Sequence, residues 1–356
     1  MSRPVLHALA WPGGLGGAAR ALEETCAAQL RNGVDARAWL CPQNRIVPSP
    51  VPDRFAARGV PVTRWTADTV FAPRAIRSLV RALRALGPGA VLHTHSERAL
   101  VWGLVAARLV GASHVHTLHA AIRNTMEDRQ REQRLKRLLD RVDAVVAVHD
   151  SVAEGVPSAT VVPNTIDRRR FARNVGEPRT MRRHWGLDPT DHVYLFLGRL
   201  APDAGADRLA VMQARLQTVS AAGRLFVAGS GPLASGVEAM TDVRMLGERD
   251  DIAAVLGASD VVVMPSRTEG LPMTALEAAA LGVPLVGFPV GGLADSELAL
   301  TVRDGDVDGL VDAAVAVVRN PALREQQLEK ASAALASRFG PADHAEALSD
   351  IYSGVA

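Results

Sequence analysis

"PSRTEGLPMTALEAAALGVPLVGFPVGG", residues 265–292, is apolar and alanine-rich, yet it carries two glutamates among its glycines and prolines. A core helix has no use for either carboxylate, because an ion taken out of water is costly unless it is compensated. The overlapping "DVVVMPS" (260–266) reads as a buried strand and "RTEG" as its exit loop. Pro272 suits the first turn of a helix that runs to about Leu281. Glu269 then stands just before the helix. Glu277 lies one to two turns inside, on a face that Ala278 and Ala280 leave uncrowded. The amides of Gly270, Leu271 and Met273 are expected to converge on the same opening, where a helix N-terminus favours anions. Two carboxylates can accept hydrogen bonds from vicinal hydroxyls, one on a hexose and one on a ribose, with phosphates between them on the amides. That composition is the signature of a sugar nucleotide.

On either side of this stretch, apolar strands alternate with helices. "VYLFLGR" (193–199), "RLFVAG" (224–229), "VRMLG" (243–247) and "VPLVGF" (283–288) are strand-like, and the last helices span about 307–319 and 321–338. The first half repeats the pattern with "PVLHALA" (4–10), "GVDARAWL" (33–40), "AVLHTHS" (90–96), "ASHVHTLH" (112–119), "DAVVAVH" (143–149) and "ATVVPN" (159–164). Short apolar strands separated by helices imply a parallel sheet covered on both faces. Residues 164–192 break the pattern with polar, Arg- and Pro-containing sequence and read as a linker. The expectation is an α/β chain of two doubly wound Rossmann-like domains facing across a cleft. Residues 1–172 and 173–338 form the domains, and a tail over 339–356 crosses back to the first. Ligands of such sheets sit beyond the C-terminal strand ends.

The totals agree with two soluble domains. The chain has 356 residues, 48% hydrophobic and 22% charged, and only 4% aromatic residues, which disfavours a stacking platform for nucleic acid. Cys26 and Cys41 form no CxxC pair, as expected of reduced thiols in a cytoplasmic protein. No signal pattern or membrane-spanning run is evident. Residues 1–170 carry 24 Lys and Arg against 14 Asp and Glu, so the remainder of the chain is acidic and the halves should take different ligands. Part of the excess is "RAIRSLVRALRAL" (74–86), where Arg74, Arg77, Arg81 and Arg84 oppose Ile76, Leu79, Val80 and Leu83. Such a helix suits the surface of an anionic membrane. A packed helix with a solvated basic face is the simpler reading.

Other strand exits carry candidate chemistry. "GGLGGAAR" holds Gly13, Gly14, Gly16 and Gly17 before a helix, where a backbone can approach a phosphate closely. A flexible turn would look the same. His93 and His95, with Glu97, follow one strand and His114, His116 and His119 lie along the next. Each alternating pair shares a face, no cysteine completes a set and there is no HExxH helix, so no metal is expected. His119 ends its strand, where it can bond a substrate hydroxyl or serve a structural hydrogen bond. Arg199 follows a strand, and its guanidinium suits phosphate oxygens. "VAGSGPLA" (227–234) places Gly229, Gly231 and Ala234 in a dinucleotide-like pattern, with Glu248 and Asp250 downstream. Pro232 and Leu233 in the turn argue against a nicotinamide or flavin.

With these pieces together the chain resembles the retaining glycosyltransferases of family 4, which have the GT-B fold. The specific element is the Glu-x7-Glu pair Glu269/Glu277; "GGLGGAAR", "HTLH", "VVPNTIDRRRF", "GRLAPDAGADRL" and "VAGSGPL" support it. The resemblance implies that Glu269 contacts donor sugar hydroxyls and Glu277 the ribose. It implies that Arg199, the loop Gly270, Leu271, Pro272 and Met273 through its amides, and Gly16–Gly17 meet the diphosphate, Pro272 shaping the loop without donating. His119 would touch the transferred sugar, the glycine loop of Gly229 and Gly231 would flank the donor, and "GERDDI" (247–252), with Arg249, would border the base. The tail ending near Tyr352 would pack on the first domain.

One position departs from the family. Where its "GRLxPxKG" pattern has lysine, this chain has Ala204. A leaving diphosphate gathers charge as the glycosidic bond breaks, so losing a cation weakens transition-state stabilisation. Three explanations compete: Arg208 compensates, the leaving group differs, or the chain is a weak or inactivated enzyme. The expected activity is metal-independent, cofactor-free transfer of a hexose, with retention, from a UDP-sugar, or next a GDP-sugar, to a hydroxyl acceptor. That acceptor would be a small molecule, lipid or glycan intermediate of a bacterial pathway. Domain closure would exclude water. The alternatives are a non-catalytic sugar-nucleotide-binding protein and a GT-B sugar-nucleotide epimerase.

Overall fold

A computed structural model of the chain describes residues 3–11, 16–42, 50–65, 72–120 and 129–355. Gly13 and Gly14 lie outside the described residues. The chain divides into two units, Met1–Thr165 with Pro341–Ala356, and Ile166–Gly340.

Unit 1 is built on a parallel sheet of β1 (Val5–Trp11), β2 (Ala36–Pro42), β3 (Val62–Arg64), β4 (Val91–Thr94), β5 (Ser113–Leu118), β6 (Ala144–Ala147) and β7 (Ala159–Val161). The spatial order is β3-β2-β1-β4-β5-β6-β7. Alternation along the strands separates two buried faces. Leu6, Ala8, Ala10 and Leu92 pack with Trp39, Trp102, Leu79 and Leu83 under the helices Pro73–Arg84 and Glu97–Val110. Val5, Val91, Val115 and Val146 pack with Leu348 and Tyr352 of the helix Pro341–Gly354. That helix also packs on Gly17–Arg31.

Unit 2 holds the sheet β10-β9-β8-β11-β12-β13, again with every pairing parallel. Its strands are β8 (His192–Leu197), β9 (Gly223–Ala228), β10 (Val243–Gly247), β11 (Val261–Met264), β12 (Leu285–Gly287) and β13 (Leu300–Thr301). The core beneath it is apolar and includes Phe196, Leu209, Met212, Val263, Phe288, Leu310 and Val317. In both sheets the first strand has its successor on one side and a later strand on the other. The topological switch therefore falls between β1 and β4 in unit 1 and between β8 and β11 in unit 2.

Several sequence expectations change. The segment expected as a linker is not extended: Arg168–Arg173 and Pro178–His184 are helices, and they pack on the helices Met273–Leu281 and Ile252–Gly257 of unit 2. The unit boundary falls at Thr165/Ile166, ahead of the expected 172/173. The tail expected over 339–356 is helical over residues 341–354 and belongs to unit 1. On Pro73–Arg84 all four arginines are exposed while Ala75, Leu79, Val80 and Leu83 are buried; Ile76 is only half-buried. The adjoining helix Glu97–Val110 exposes Val101, Val105 and Leu109 at four-residue spacing. Among the described residues no helix is long and apolar enough to cross a membrane.

Candidate functional site

At the switch point of unit 2, the exits of β8 and β11 are tied into one piece. The Arg267 amide donates to the Asp203 carbonyl at 2.8 Å, and the Arg208 Nη1 donates to the Pro265 carbonyl at 2.7 Å. The Arg267 guanidinium forks onto both Asp207 carboxylate oxygens at 2.7 Å. Gly205 sits at φ 76°, and a Cβ there would come within 2.1 Å of the Pro265 carbonyl oxygen. Glycine is required by this close approach of one loop to the other, not by a bound group.

The same logic answers why glycines bracket the glutamates. Gly291, at φ 52°, has no room for a Cβ, which would fall 2.2 Å from the Glu269 carbonyl oxygen, and the Gly292 amide donates to the Gly270 carbonyl at 2.6 Å. The "VGG" turn thus clasps the backbone of Glu269–Gly270 and fixes where the Glu269 side chain starts. Pro272 is the N-cap residue, with extended ψ of 129°, so the helix begins at Met273 and not at the proline itself.

Every residue of that helix from Met273 to Ala280 is buried. The expectation that Glu277 lies on an uncrowded face is therefore corrected: its carboxylate is held in the interior with 3% of the residue exposed. Helix packing against Arg168–Arg173, Ile252–Gly257 and Pro321–Arg338 leaves no open face. A carboxylate kept at such a position needs hydrogen-bonding partners. Glu269 is half-buried before the helix, and burial raises its carboxyl above the ordinary range, opposed by a Ser266 hydrogen bond and by Arg199.

The arginines differ. Arg199 is exposed and ion-paired with Asp203, and Arg249 forks onto Asp251 at 2.8 and 2.5 Å. Arg208 has no carboxylate within ion-pairing distance among the described residues; it stacks over the Phe288 ring, 4.9 Å from its centroid, and burial lowers its pKa. Ala204, in the lysine position of the resembled pattern, ends the 3-10 turn Pro202–Ala204 and packs half-buried on the apolar core. Its carbonyl is met by the Ser266 hydroxyl at 3.5 Å.

Gly229 and Gly231 sit at φ 147° and 155°. A Cβ on Gly229 would lie 1.9 Å from the Gly198 carbonyl oxygen, and one on Gly231 would lie 2.4 Å from that of Leu200. The backbone they admit is the chain's own exit from β8, which accounts for a fingerprint-like spacing without any dinucleotide.

In unit 1, Gly16 caps the helix Gly17–Arg31 with no side-chain cap, and open space surrounds a Cβ at either Gly16 or Gly17. The histidines fall on opposite faces of the sheet. His114 and His116 share one face with Thr94, whose hydroxyl lies 3.0 Å from His114 Nε2 and 2.8 Å from His116 Nδ1. Gly103 makes room for this ring, since a Cβ there would lie 2.8 Å from His114 Cε1. His93 and His95 lie on the other face with His7, which β1 places in register beside His93.

His7 was not singled out by the sequence, because a lone histidine in an apolar strand gives no local signal. Side-chain nitrogens of His7, His93 and His95 lie within 4.8 Å of one another, a spacing open to a metal. All six of their ring nitrogens, however, already meet hydrogen-bond partners: His7–His95 at 3.0 Å, His7–Gln29 at 2.6 Å, His93–Tyr352 at 2.7 Å, His93–Thr117 at 2.6 Å and His95–His119 at 3.1 Å. Burial pushes His7 and His119 down to about 4 and holds His93 and His95 well below the usual range, so the cluster is neutral near pH 7. Both cysteines are buried and outside any disulfide, and burial raises the Cys26 thiol, which leaves it unreactive.

Comparison with known proteins matches this architecture. The family model described as Glycosyltransferase Family 4 covers residues 15–170, and the one described as Glycosyl transferases group 1 covers 191–320. The 2-deoxystreptamine N-acetyl-D-glucosaminyltransferase of Streptomyces fradiae is 30% identical over 287 residues, 70% of this chain and 68% of that protein. An Escherichia coli UDP-Gal:alpha-D-GlcNAc-diphosphoundecaprenol alpha-1,3-galactosyltransferase is 26% identical over 264 residues, 65% of this chain and 67% of that protein. The Anabaena HepE structure in complex with UDP-glucose superposes with a TM-score of 0.81 over 99% of both chains at 17% identity, a likeness of fold. Two parallel Rossmann-like units, the Glu269/Glu277 helix at the switch point and both family models together establish that the chain belongs to the family 4 glycosyltransferases, enzymes of the GT-B fold.

Proposed function

We propose that the protein transfers a hexosyl group from a UDP-sugar to a hydroxyl of its acceptor with retention at the anomeric carbon. The observation that carries this reading is the pair of carboxylates bracketing the start of a buried helix beside β8. Glu277, with 3% of the residue exposed, keeps a carboxylate inside an otherwise uncharged helix. In this reading Glu277 takes the ribose hydroxyls and Glu269 those of the transferred sugar. The diphosphate lies on the amides of the Gly270–Met273 turn, with Arg199 and Arg208 neutralising the charge that grows as the glycosidic bond breaks. No metal or cofactor is needed for that task. Arg249 borders the base, and His119 touches the transferred sugar.

Retention needs either a nucleophile or attack from the face the leaving group departs. We favour the second, with the departing phosphate oxygen taking the acceptor proton. The E. coli relative supports a UDP-sugar donor by name, and its alpha product is the linkage that retention would give from an alpha-linked donor. GDP-sugar is the next choice. The relatives' names span a 2-deoxystreptamine acceptor and an undecaprenyl-linked one. The acceptor here is thus a small polyol or a lipid-linked glycan, used on the cytoplasmic side of the membrane. The exposed row Val101, Val105 and Leu109 beside four exposed arginines favours a lipid-linked one, and sedimentation with anionic vesicles tests it.

The deciding experiment follows glycoside formation from UDP-sugars by NMR, reading the anomeric configuration directly. Glu277→Gln is expected to lower kcat/KM by about tenfold to a hundredfold, the worth of one charge-assisted hydrogen bond. Inversion, UDP-sugar epimerisation without acceptor, or full turnover in a Glu269→Gln/Glu277→Gln double variant would each overturn the assignment.

A further inference from the structure

Beneath His119, unit 1 holds a continuous chain of hydrogen bonds that converges on a single amide. Gln29, fully buried in the helix Gly17–Arg31, meets His7 Nε2 through its Oε1 at 2.6 Å and donates from its Nε2 to the Tyr352 hydroxyl at 3.0 Å. An amide oxygen only accepts, so His7 must carry its proton on Nε2 and leave Nδ1 bare. His7 Nδ1 lies 3.0 Å from His95 Nε2, which must therefore donate, leaving His95 Nδ1 bare. His95 Nδ1 in turn lies 3.1 Å from His119 Nε2, which donates. The end of the chain is His119 Nδ1, a buried lone pair with no hydrogen-bond partner among the described residues. The other branch obeys the same rule: Tyr352 donates to His93 Nδ1 at 2.7 Å, and His93 Nε2 donates to the Thr117 hydroxyl at 2.6 Å.

One amide thus sets four imidazole tautomers. Turning that amide by half a turn would reverse every bond in both branches and make His119 Nδ1 an N–H donor. The observed sense leaves an orphan acceptor at the end of the chain, and buried orphan acceptors are better tolerated than orphan N–H groups. We propose that Gln29 is a positioning residue that acts through His7 and His95 to hold His119 in its Nε2–H tautomer, so that His119 Nδ1 accepts a hydroxyl hydrogen from the substrate. That the hydroxyl belongs to a sugar or polyol rests on the function proposed above. A ligand group that only accepts, such as a phosphate oxygen, is not the partner of this nitrogen.

The test is histidine ¹⁵N NMR on the full-length protein at neutral pH and above, which reads tautomers with no substrate present. It therefore stands or fails apart from the transfer reaction. The expected spectrum has His7, His95, His93 and His119 all as Nε2–H tautomers, with Nδ1 bare. An Nδ1–H signal at His119 overturns the proposal. In Gln29→Glu the carboxylate only accepts, so Tyr352 must donate to it and His93 must become Nδ1–H while His119 stays unchanged. Loss of packing alone would not invert one histidine and spare the other, and an uninverted His93 refutes the relay. Gln29→Leu, checked for folding by its melting transition, should give mixed tautomers at His119. With whichever UDP-sugar turns over, kcat/KM should then fall by about twofold to tenfold, carried in KM, because only a fraction of the molecules is competent to bind. Gln29→Glu should restore it. A fall carried wholly in kcat, or no rescue, counts against the proposal.

Discussion

The two units have the same switched parallel architecture but hold their loops by opposite means. Unit 1 buries a polar chain: His7, His93, His95, Gln29, Thr117 and Tyr352 lie inside, each satisfied by another. Unit 2 has an apolar core and fixes its loops from outside, through glycines that let backbones touch and arginine–carboxylate forks between loops. The first arrangement is directional and sensitive to protonation. The second is steric and ionic, and Asp207, which the Arg267 hydrogen bond holds below its usual range, keeps its charge under mildly acid conditions.

Acid should separate the units most strongly. Burial pushes His7, His114, His119 and His344 to about 4 from an unfolded value near 6.5. These lowered values mean that the unfolded chain binds protons first, so the stability they contribute is complete above about pH 6.5 and is lost as pH falls toward 4. Each group adds a slope of up to about 1.4 kcal/mol per pH unit in that window. Together the four would remove stability on the order of the roughly 5–15 kcal/mol of a typical domain by about pH 4. Among the described residues every buried histidine lies in unit 1. Tryptophan fluorescence, dominated by unit 1 through buried Trp39 and Trp102, should therefore change in an early acid step. Trp185 of unit 2 should report a later one. A single coincident step would break the comparison.

For unit 2 the steric counterpart is Gly229→Ala. A Cβ placed 1.9 Å from the Gly198 carbonyl oxygen forces the β8 exit to move. The expected loss is about 3 kcal/mol, the upper end for a single substitution, read as a lower melting temperature in the Trp185 signal. A change below about 1 kcal/mol would show that this loop adapts freely.

The smallest expected effect sharpens the role of charge. Arg208→Ala should lower kcat by about a hundredfold with little change in fold if this guanidinium replaces the lysine that Ala204 lacks. Unchanged kcat would rule that compensation out and leave a different leaving group or a weakened enzyme. Its stacking on Phe288, 4.9 Å away, makes Arg208→Lys a useful control, since lysine keeps the charge and loses the planar stack.

Much of this was legible locally. The strands with runs such as "VYLFL" and "DVVVM", and the terminal helices Val307–Arg319 and Pro321–Arg338, follow from hydrophobic pattern and length. The helices Arg168–Arg173 and Pro178–His184 do not, since neither has a fully buried residue and so neither has an apolar stripe to read. β3 and β13 are too short to carry a pattern. The four-residue spacing of His344, Leu348 and Tyr352 did not mark the last helix, because two of the three are polar or amphipathic types. Glu269 and Glu277 were visible because a carboxylate in an apolar run is anomalous. The glycines of "VAGSGPL" were visible too, yet whether they admit a ligand or the chain's own backbone depends on contacts with residues some thirty positions away. His7 meets His95 only through the β1–β4 register, and Gln29 and Tyr352 join them from helices at opposite ends of the sequence.

The helix Pro341–Gly354 has a consequence for how the protein is made. It supplies Tyr352 to the Gln29 amide, its backbone takes the Arg3 guanidinium at 2.7 Å, and His344 receives the Thr25 hydroxyl's company at 3.0 Å. All of unit 2 leaves the ribosome before this segment does. During translation the earlier-made half must wait with an open, histidine-lined groove while the later-made half is already able to close. A released chain truncated before residue 341 should accordingly present one finished lobe and one susceptible to protease, and the lobe synthesised first should be the one that is cut.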